Sequence, residues 1–190
     1  NQFLPKHHTT LSGRIRVISR DPVDRMMDRG GMCDFVEDIA LNYPLRVVME
    51  ILGVPENDEG MMLALTQQLF GARDPEKSRD AGAMSDPSTA LNVFNAVLGD
   101  FYAYFDQLTG MRRKDPRDDV ATVIANAKID GKPIAKREAN SYYVLVATAG
   151  HDTTSASTAG ALWGLAEAPD QLARLKADPS LIPGLVEEAI

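Results

Sequence analysis

Apolar residues recur along most of this chain at the three-and-four spacing of helices, and seldom at the alternation of strands. Across residues 11–27, Leu11, Ile15, Ile18, Val23, Met26 and Met27 share a helical pattern that Pro22 interrupts. Asp21–Pro22 reads either as a cap with proline at the first helical position or as a kink within one helix, and both readings stay open. Gly30–Gly31 closes that segment. A second helix is predicted over residues 34–52, stopped by Gly53-Val54-Pro55, a C-cap glycine followed by proline. A third covers 56–70, with acidic residues in the first turn, where the helix dipole favours them.

Residues 71–88 are rich in Gly, Asp, Ser and Pro and read as a loop. A long amphipathic helix is predicted over 89–111 and a short one over 118–127. Asp130–Gly131, inside 128–134, carries the turn signal of a small hairpin. No proline interrupts 135–166, which predicts a helix of about 48 Å at about 1.5 Å per residue. Pro169 opens another helix, Asp178–Pro179 ends it, and a last one begins near Leu181. Repeats and βαβ alternation are both missing, so the fold class is all-α, with at most one small β-hairpin.

Composition narrows the function without choosing it. In 190 residues, 44% hydrophobic and 25% charged is globular and not disordered. Aromatics are few (6%) and methionines number 8, which suits an adaptable helical core. A net charge of −7 argues against nucleic acid as a partner. Arg112-Arg113-Lys114 and Lys136-Arg137 read as solvated helix ends, and His7–His8 as a polar N-terminal stretch. The single cysteine excludes a disulfide framework and suits a reducing, cytoplasmic setting. Residues 142–166 are the most apolar stretch, yet they hold His151 and Asp152 at their middle. Charge at bilayer depth is costly, so a buried helix is expected there and not a membrane span.

The chemistry concentrates in Ala149-Gly150-His151-Asp152-Thr153-Thr154, halfway along the longest predicted helix. Glycine costs about 1 kcal/mol against alanine in a helix interior, so Gly150 needs a reason. Thr153 is spaced to turn its hydroxyl onto the carbonyl of Ala149. Together they loosen the ladder and favour a local bulge or kink, where a small ligand or water can sit. Leu145, Thr148, Ala149, Asp152, Thr153 and Ala156 are predicted on one face, mostly small and polar, which a flat cofactor can approach. The same pattern also fits a buried helix whose small residues serve packing and whose Asp152 is paired. His151 reads as a packed or solvent-touching helix residue.

The string Ala149–Thr154 resembles the A/G-G-x-D/E-T-T/S signature of helix I in the cytochrome P450 family. Its surroundings resemble the family in the same order. Ile51-Leu52-Gly53-Val54-Pro55-Glu56 is similar to the end of helix E. Asp118–Asp119 and the hairpin at 129–134 lead into helix I; 169–175 resembles helix J and 184–190 helix K.

This resemblance implies a mainly helical fragment of the P450 fold built on a long central helix I. Residues 1–190 would form the central part of a single P450 domain, with the N-terminal sheet and helices and the Glu-x-x-Arg and cysteine-loop region absent. It implies a haem-dependent monooxygenase, with haem b in the full-length protein and none held by this fragment, which alone would be inactive.

Carried over, Asp152 and Thr153 are the catalytic acid–alcohol pair. Ala149, Gly150, Thr154 and Ala156 belong to the oxygen groove and haem face. Leu145, Thr148, Leu69 and Phe70 are substrate-lining candidates, with Met61 and Met62 beside the last two, and core packing explains that group equally well. Glu188 matches the structural Glu of Glu-x-x-Arg. The implied partners are a small apolar substrate (terpenoid, steroid or fatty-acid-like) and a ferredoxin- or flavin-type electron donor.

Three departures stand out. Cys33 lacks the neighbours of the family's cysteine loop and reads as a small buried hydrophobe, so no metal ligand is expected within this chain. Ala135 stands where a capping Ser or Thr is usual. Pro22 is awkward in helix D. Two other functions compete: a non-catalytic helical interaction domain, and a metal-dependent phosphohydrolase using His151–Asp152.

Overall fold

The computed structural model describes residues 5–190, with side chains from Leu11 onward, so the His7–His8 pair lies outside the described side chains. The described elements are helical except for one two-stranded hairpin. In order they are α1 (Pro5–Asp28), α2 (Asn42–Leu52), α3 (Glu59–Phe70), α4 (Pro87–Lys114), α5 (Val120–Ala125), β1 (Lys128–Ile129), β2 (Lys132–Pro133), α6 (Lys136–Ala149), α7 (Asp152–Glu167), α8 (Pro169–Ala177) and α9 (Ile182–Ala189).

Proline chemistry explains most of the differences from the expected boundaries. α1 runs unbroken through a buried Pro22, which settles the alternative left open above in favour of one helix. The 34–52 segment is not one uniform helix. A π turn (Val36–Ala40) precedes α2, and Leu41 N–H reaches back to the Val36 carbonyl at 2.9 Å. Pro44 has no N–H to return to Ala40, so a regular ladder cannot run through this point. α4 starts two residues early because Asp86 caps it, accepting from Ser88 and Thr89 N–H at 3.1 and 3.0 Å, with Pro87 at the first position. It runs on to Lys114, since Arg112, Arg113 and Lys114 suit the negative end of the dipole. β1 and β2 pair antiparallel around Asp130 (φ 51°) and Gly131 (φ 78°), the two positive φ values that a tight hairpin requires.

One apolar core joins α2, α3, α4, α5 and α6. Phe105 stacks on Tyr143 with ring centroids 4.9 Å apart, linking α4 to α6. Tyr143 is fully buried, so its hydroxyl needs partners. It donates to the Ala121 carbonyl at 2.8 Å and accepts from Thr109 Oγ1 at 3.2 Å, drawing α5 in as well. Burial pushes its pKa upward, so it stays a neutral phenol. By contrast, α7 has Ser155 as its only buried side chain and α8 and α9 have none. Trp163, at 72% exposed, and Val186 stand out on these three helices.

A second node is ionic. Arg112 Nε donates to Asp119 at 2.6 Å, with both side chains almost wholly buried. The same guanidinium donates to the Gly53 carbonyl at 2.6 Å, while the other Asp119 oxygen caps α5 by accepting from Thr122 N–H at 2.7 Å. Gly53, the left-handed cap of α2 (φ 86°), lies so close that an added Cβ would collide with the Asp119 carboxylate. The ends of α2 and α4 and the start of α5 thus meet at one point. Removing one partner of a buried pair leaves a bare charge, so Asp119→Ala is expected to cost about 3–5 kcal/mol in urea unfolding. Adding Arg112→Met should return part of that loss. A loss under about 1 kcal/mol for the single variant would show that this node does not support the frame.

Candidate functional site

The helix expected over 135–166 is broken in the middle. α6 ends at Ala149, Gly150 and His151 form a turn, and α7 starts at Asp152. His151 N–H bonds the Thr148 carbonyl at 3.3 Å, three residues back instead of four. Hydroxyls crowd the carbonyls on either side of the break. Thr148 Oγ1 donates to Val144 at 2.8 Å, Ser155 Oγ to His151 at 2.9 Å and Thr158 Oγ1 to Thr154 at 2.7 Å. Thr153 Oγ1 reaches the Ala149 carbonyl only at 3.4 Å, the longest of the four. Such bonds compete with the backbone ladder and bend it.

The break divides two faces. Tyr143, Ala147, Thr148, His151 and Ser155 are buried, whereas Leu145, Ala149, Gly150, Asp152, Thr153, Thr154 and Ala156 are exposed. Thr148 therefore leaves the strip expected from spacing. Its hydroxyl is spent on Val144 and its side chain is 7% exposed. The remaining five residues of that strip do share the open side.

Gly150 is required by close approach. An added Cβ would lie 2.8 Å from Val48 Cγ2, so α2 could not come so near to any other residue there. Next to it, His151 is completely buried, and its Nε2 lies 2.9 Å from the Leu41 carbonyl. A carbonyl only accepts, so the proton sits on Nε2. Nδ1 is buried and has no hydrogen-bond partner among the described residues. Burial lowers the pKa of this imidazole, while the Leu41 carbonyl and the Asp152 charge pull it the other way.

The other sequence candidates scatter. Leu69 and Met62 are buried in the core, whereas Phe70 and Met61 are exposed on α3. Glu188 on α9 lines an open groove with Ala156, Gly160, Gly164 and Leu185, where the small residues of α7 leave room for α9. Cys33 is half-buried in the turn between α1 and the π segment. Among the described residues, no three His, Cys, Asp or Glu side chains converge as a metal site would need. No described helix is long and apolar enough to cross a membrane. His151 and Val48 were not singled out from the sequence as partners of the break. A signal was there: Ala147, His151 and Ser155 follow Tyr143 at steps of four, which is one helical stripe.

No family profile matches the chain. It is 47% identical over 190 residues to cytochrome P450-terp of a Pseudomonas species, covering 100% of this chain and 44% of that protein. The crystal structure of CYP108D1 from Novosphingobium aromaticivorans superimposes with a TM-score of 0.79 at 47% identity, over 100% of this chain and 42% of that one. CYP268A2 of Mycobacterium marinum, solved in complex with pseudoionone, gives a TM-score of 0.82 at 28% identity, over 94% and 42%. The chain thus spans under half the length of the relatives it matches.

Two outcomes test this geometry. Gly150→Ala should cost about 1–3 kcal/mol by overpacking, and Val48→Ala should relieve part of it in the double variant. Equal losses with and without Val48→Ala would mean that the contact does not limit α2. The second outcome concerns pH. His151 has a folded pKa below its ordinary 6.5, so the unfolded chain takes up the proton more readily. Stability from the neutral ring is complete above about 6.5 and is lost as pH falls towards the folded value. Urea unfolding of the parent and of His151→Gln from pH 7.5 to 5 should show a parent-specific loss on the acid side. Parallel curves would contradict it.

Proposed function

As the chain belongs to the cytochrome P450 family, we propose that the whole protein is a haem-dependent monooxygenase acting on an apolar organic substrate. The observation that carries this reading is the broken helix itself. Its open side presents Ala149, Gly150, Asp152, Thr153 and Ala156 together, while its buried side is held against α2.

The residues fit the group the family binds. At the break the open side carries only two alanine methyl groups, a glycine and three short polar side chains, thin enough for a flat macrocycle to lie close. Ala149, Gly150, Thr154 and Ala156 are the residues proposed to face it. Haem, when bound, supplies dioxygen activation, with one oxygen atom entering the substrate and the other leaving as water. Cys33 has neither the setting nor the flanking residues of the family's ligand, so the thiolate that would hold the haem iron is assigned to the remainder of the protein. The exposed apolar side chains of α7–α9, among them Trp163 and Val186, support more chain packing there. On this reading Glu188, on α9, is a structural carboxylate for that chain.

The chain's own contribution is proton handling. Thr153 Oγ1 holds a proton that the distant Ala149 carbonyl engages only at 3.4 Å, so it can turn outward and donate. Asp152 is exposed one residue earlier and can collect protons from solvent and return them to that hydroxyl. Substrate contact is assigned to the outward Leu145 and Phe70. Leu69 and Thr148 are buried and are not part of that surface. Apolar substrates, whether terpenoid, steroid or fatty-acid-like, suit these side chains; the M. marinum relative was solved in complex with pseudoionone. A ferredoxin- or flavin-type donor would supply electrons, and a cytoplasmic setting suits a chain with one cysteine.

The test is product formed per NAD(P)H consumed, alongside haem content, in the full-length protein. Thr153→Ala should keep haem and substrate binding but divert reducing equivalents to hydrogen peroxide. Asp152→Asn should slow turnover by something like 10²–10⁴-fold with less leakage. Both residues are exposed in this chain, so neither change should cost more than about 0.5 kcal/mol of stability. Parent-like rate and coupling in both variants would overturn the acid–alcohol assignment. A full-length protein without haem would overturn the whole reading.

A further inference from the structure

We propose that His151 is the positioning residue of this site, anchoring the α6–α7 break to the entrance of α2 so that Asp152 and Thr153 project on the open side. This rests on the monooxygenase reading only for what the pair does, not for how it is held.

The contact joins two irregularities of the backbone. Leu41 lies between the π turn and α2, where Pro44 interrupts the ladder, and His151 lies between α6 and α7. Its imidazole bridges 110 positions of sequence to hydrogen-bond that carbonyl. Three further features make His151 an anchor and not a passenger. Its own carbonyl accepts twice, from Ser155 N–H and Ser155 Oγ, each at 2.9 Å, which ties the ring to the first turn of α7. Gly150 brings the turn against Val48 of α2, so the two helices meet where the ring crosses. Nδ1 is sealed without a partner among the described residues, so the Nε2–H donor is the ring's one directional link.

Consecutive helical residues point about 100° apart. Burying His151 therefore turns Asp152 and Thr153 towards the open side. If the anchor is lost, the turn can close into a regular helix or slide along α2, and both neighbours move with it. A side chain of similar bulk that cannot donate would fill the space and still leave the Leu41 carbonyl unsatisfied.

The test compares His151→Leu, which keeps bulk and loses the donor, with His151→Gln, which retains a donor amide. In the full-length holoprotein, amide hydrogen exchange over residues 152–156 should quicken about tenfold in His151→Leu and recover most of its protection in His151→Gln. Peroxide released per NAD(P)H should rise in the Leu variant and fall back in the Gln variant, at equal haem content. If Leu and Gln behave alike, with parent-level protection, the anchor is wrong whatever the activity does. A protein that carries no haem sinks the monooxygenase reading, yet leaves the exchange comparison decisive for the anchor. Should neither variant fold, ¹⁵N-histidine spectra of the parent decide. A slowly exchanging Nε2 proton supports the anchor, and a proton on Nδ1 or in free exchange overturns it.

Discussion

A helix that interrupts its hydrogen-bond ladder must satisfy the freed backbone groups some other way, and that constraint organises this chain. Buried backbone groups without partners cost about as much as a lost hydrogen bond. Here the His151 N–H turns to the Thr148 carbonyl, the Thr and Ser hydroxyls on either side donate to carbonyls one turn back, and the ring of His151 ties the break to the neighbouring helix. Only one of those hydroxyls is poorly committed. Thr153 sits at 3.4 Å from its carbonyl, and it is also the one that lies on the open side directly after the break. A regular helix through residues 149–153 would leave no such slack.

The break holds its place because α2 does. α2 is fixed at its C-terminal end by the Gly53, Arg112 and Asp119 cluster and along its length by the core it shares with α3, α4 and α6. Its N-terminal end, where Leu41 and Val48 meet the break, is shaped by the π turn and Pro44. The buried ion pair makes sense in this light. Replacing such a pair by apolar residues often costs little stability. What a well-packed apolar substitute lacks is directional bonds to a helix end and to a helix cap at once. The pair therefore fixes the register of α2 against α4 and α5, and through α2 the position of the break.

Much of this was legible in the sequence, because local rules and global packing agree over most of the chain. Gly53-Val54-Pro55 ends α2 where a left-handed cap and a proline require it, and Asp130–Gly131 forms the expected turn. The kink at Gly150 followed from one glycine and one back-bonding threonine. What escaped was tertiary. Spacing alone placed Thr148 beside Ala149 and Asp152, but Thr148 lies at the edge of the buried stripe of Tyr143, Ala147, His151 and Ser155 and turns inward with it. The π turn before α2 could have been suspected from Pro44. The reach of His151 to Leu41 could not, since no periodicity links positions so distant. Likewise Leu69 and Phe70 point about 100° apart around α3, and the core took the first and left the second outside.

The division of roles between His151 and Asp152 follows from the same geometry. Neutral and buried, the imidazole needs a dry setting, since a charge there would be sealed from water beside an unpartnered Nδ1. The carboxylate has the opposite setting: it is exposed, as the proposed exchange of protons with solvent requires. Adjacent residues obtain such different surroundings only where the backbone lies at the boundary between core and surface, as it does at this turn. An uninterrupted helix at that boundary would still sort the two side chains. It would not, however, leave a loosely held hydroxyl beside the carboxylate with glycine opening the approach to both. On the proposed reading, three needs of the chemistry coincide at the break: a dry anchor beneath, a solvated acid above, and an alcohol whose hydrogen bond is weak enough to exchange.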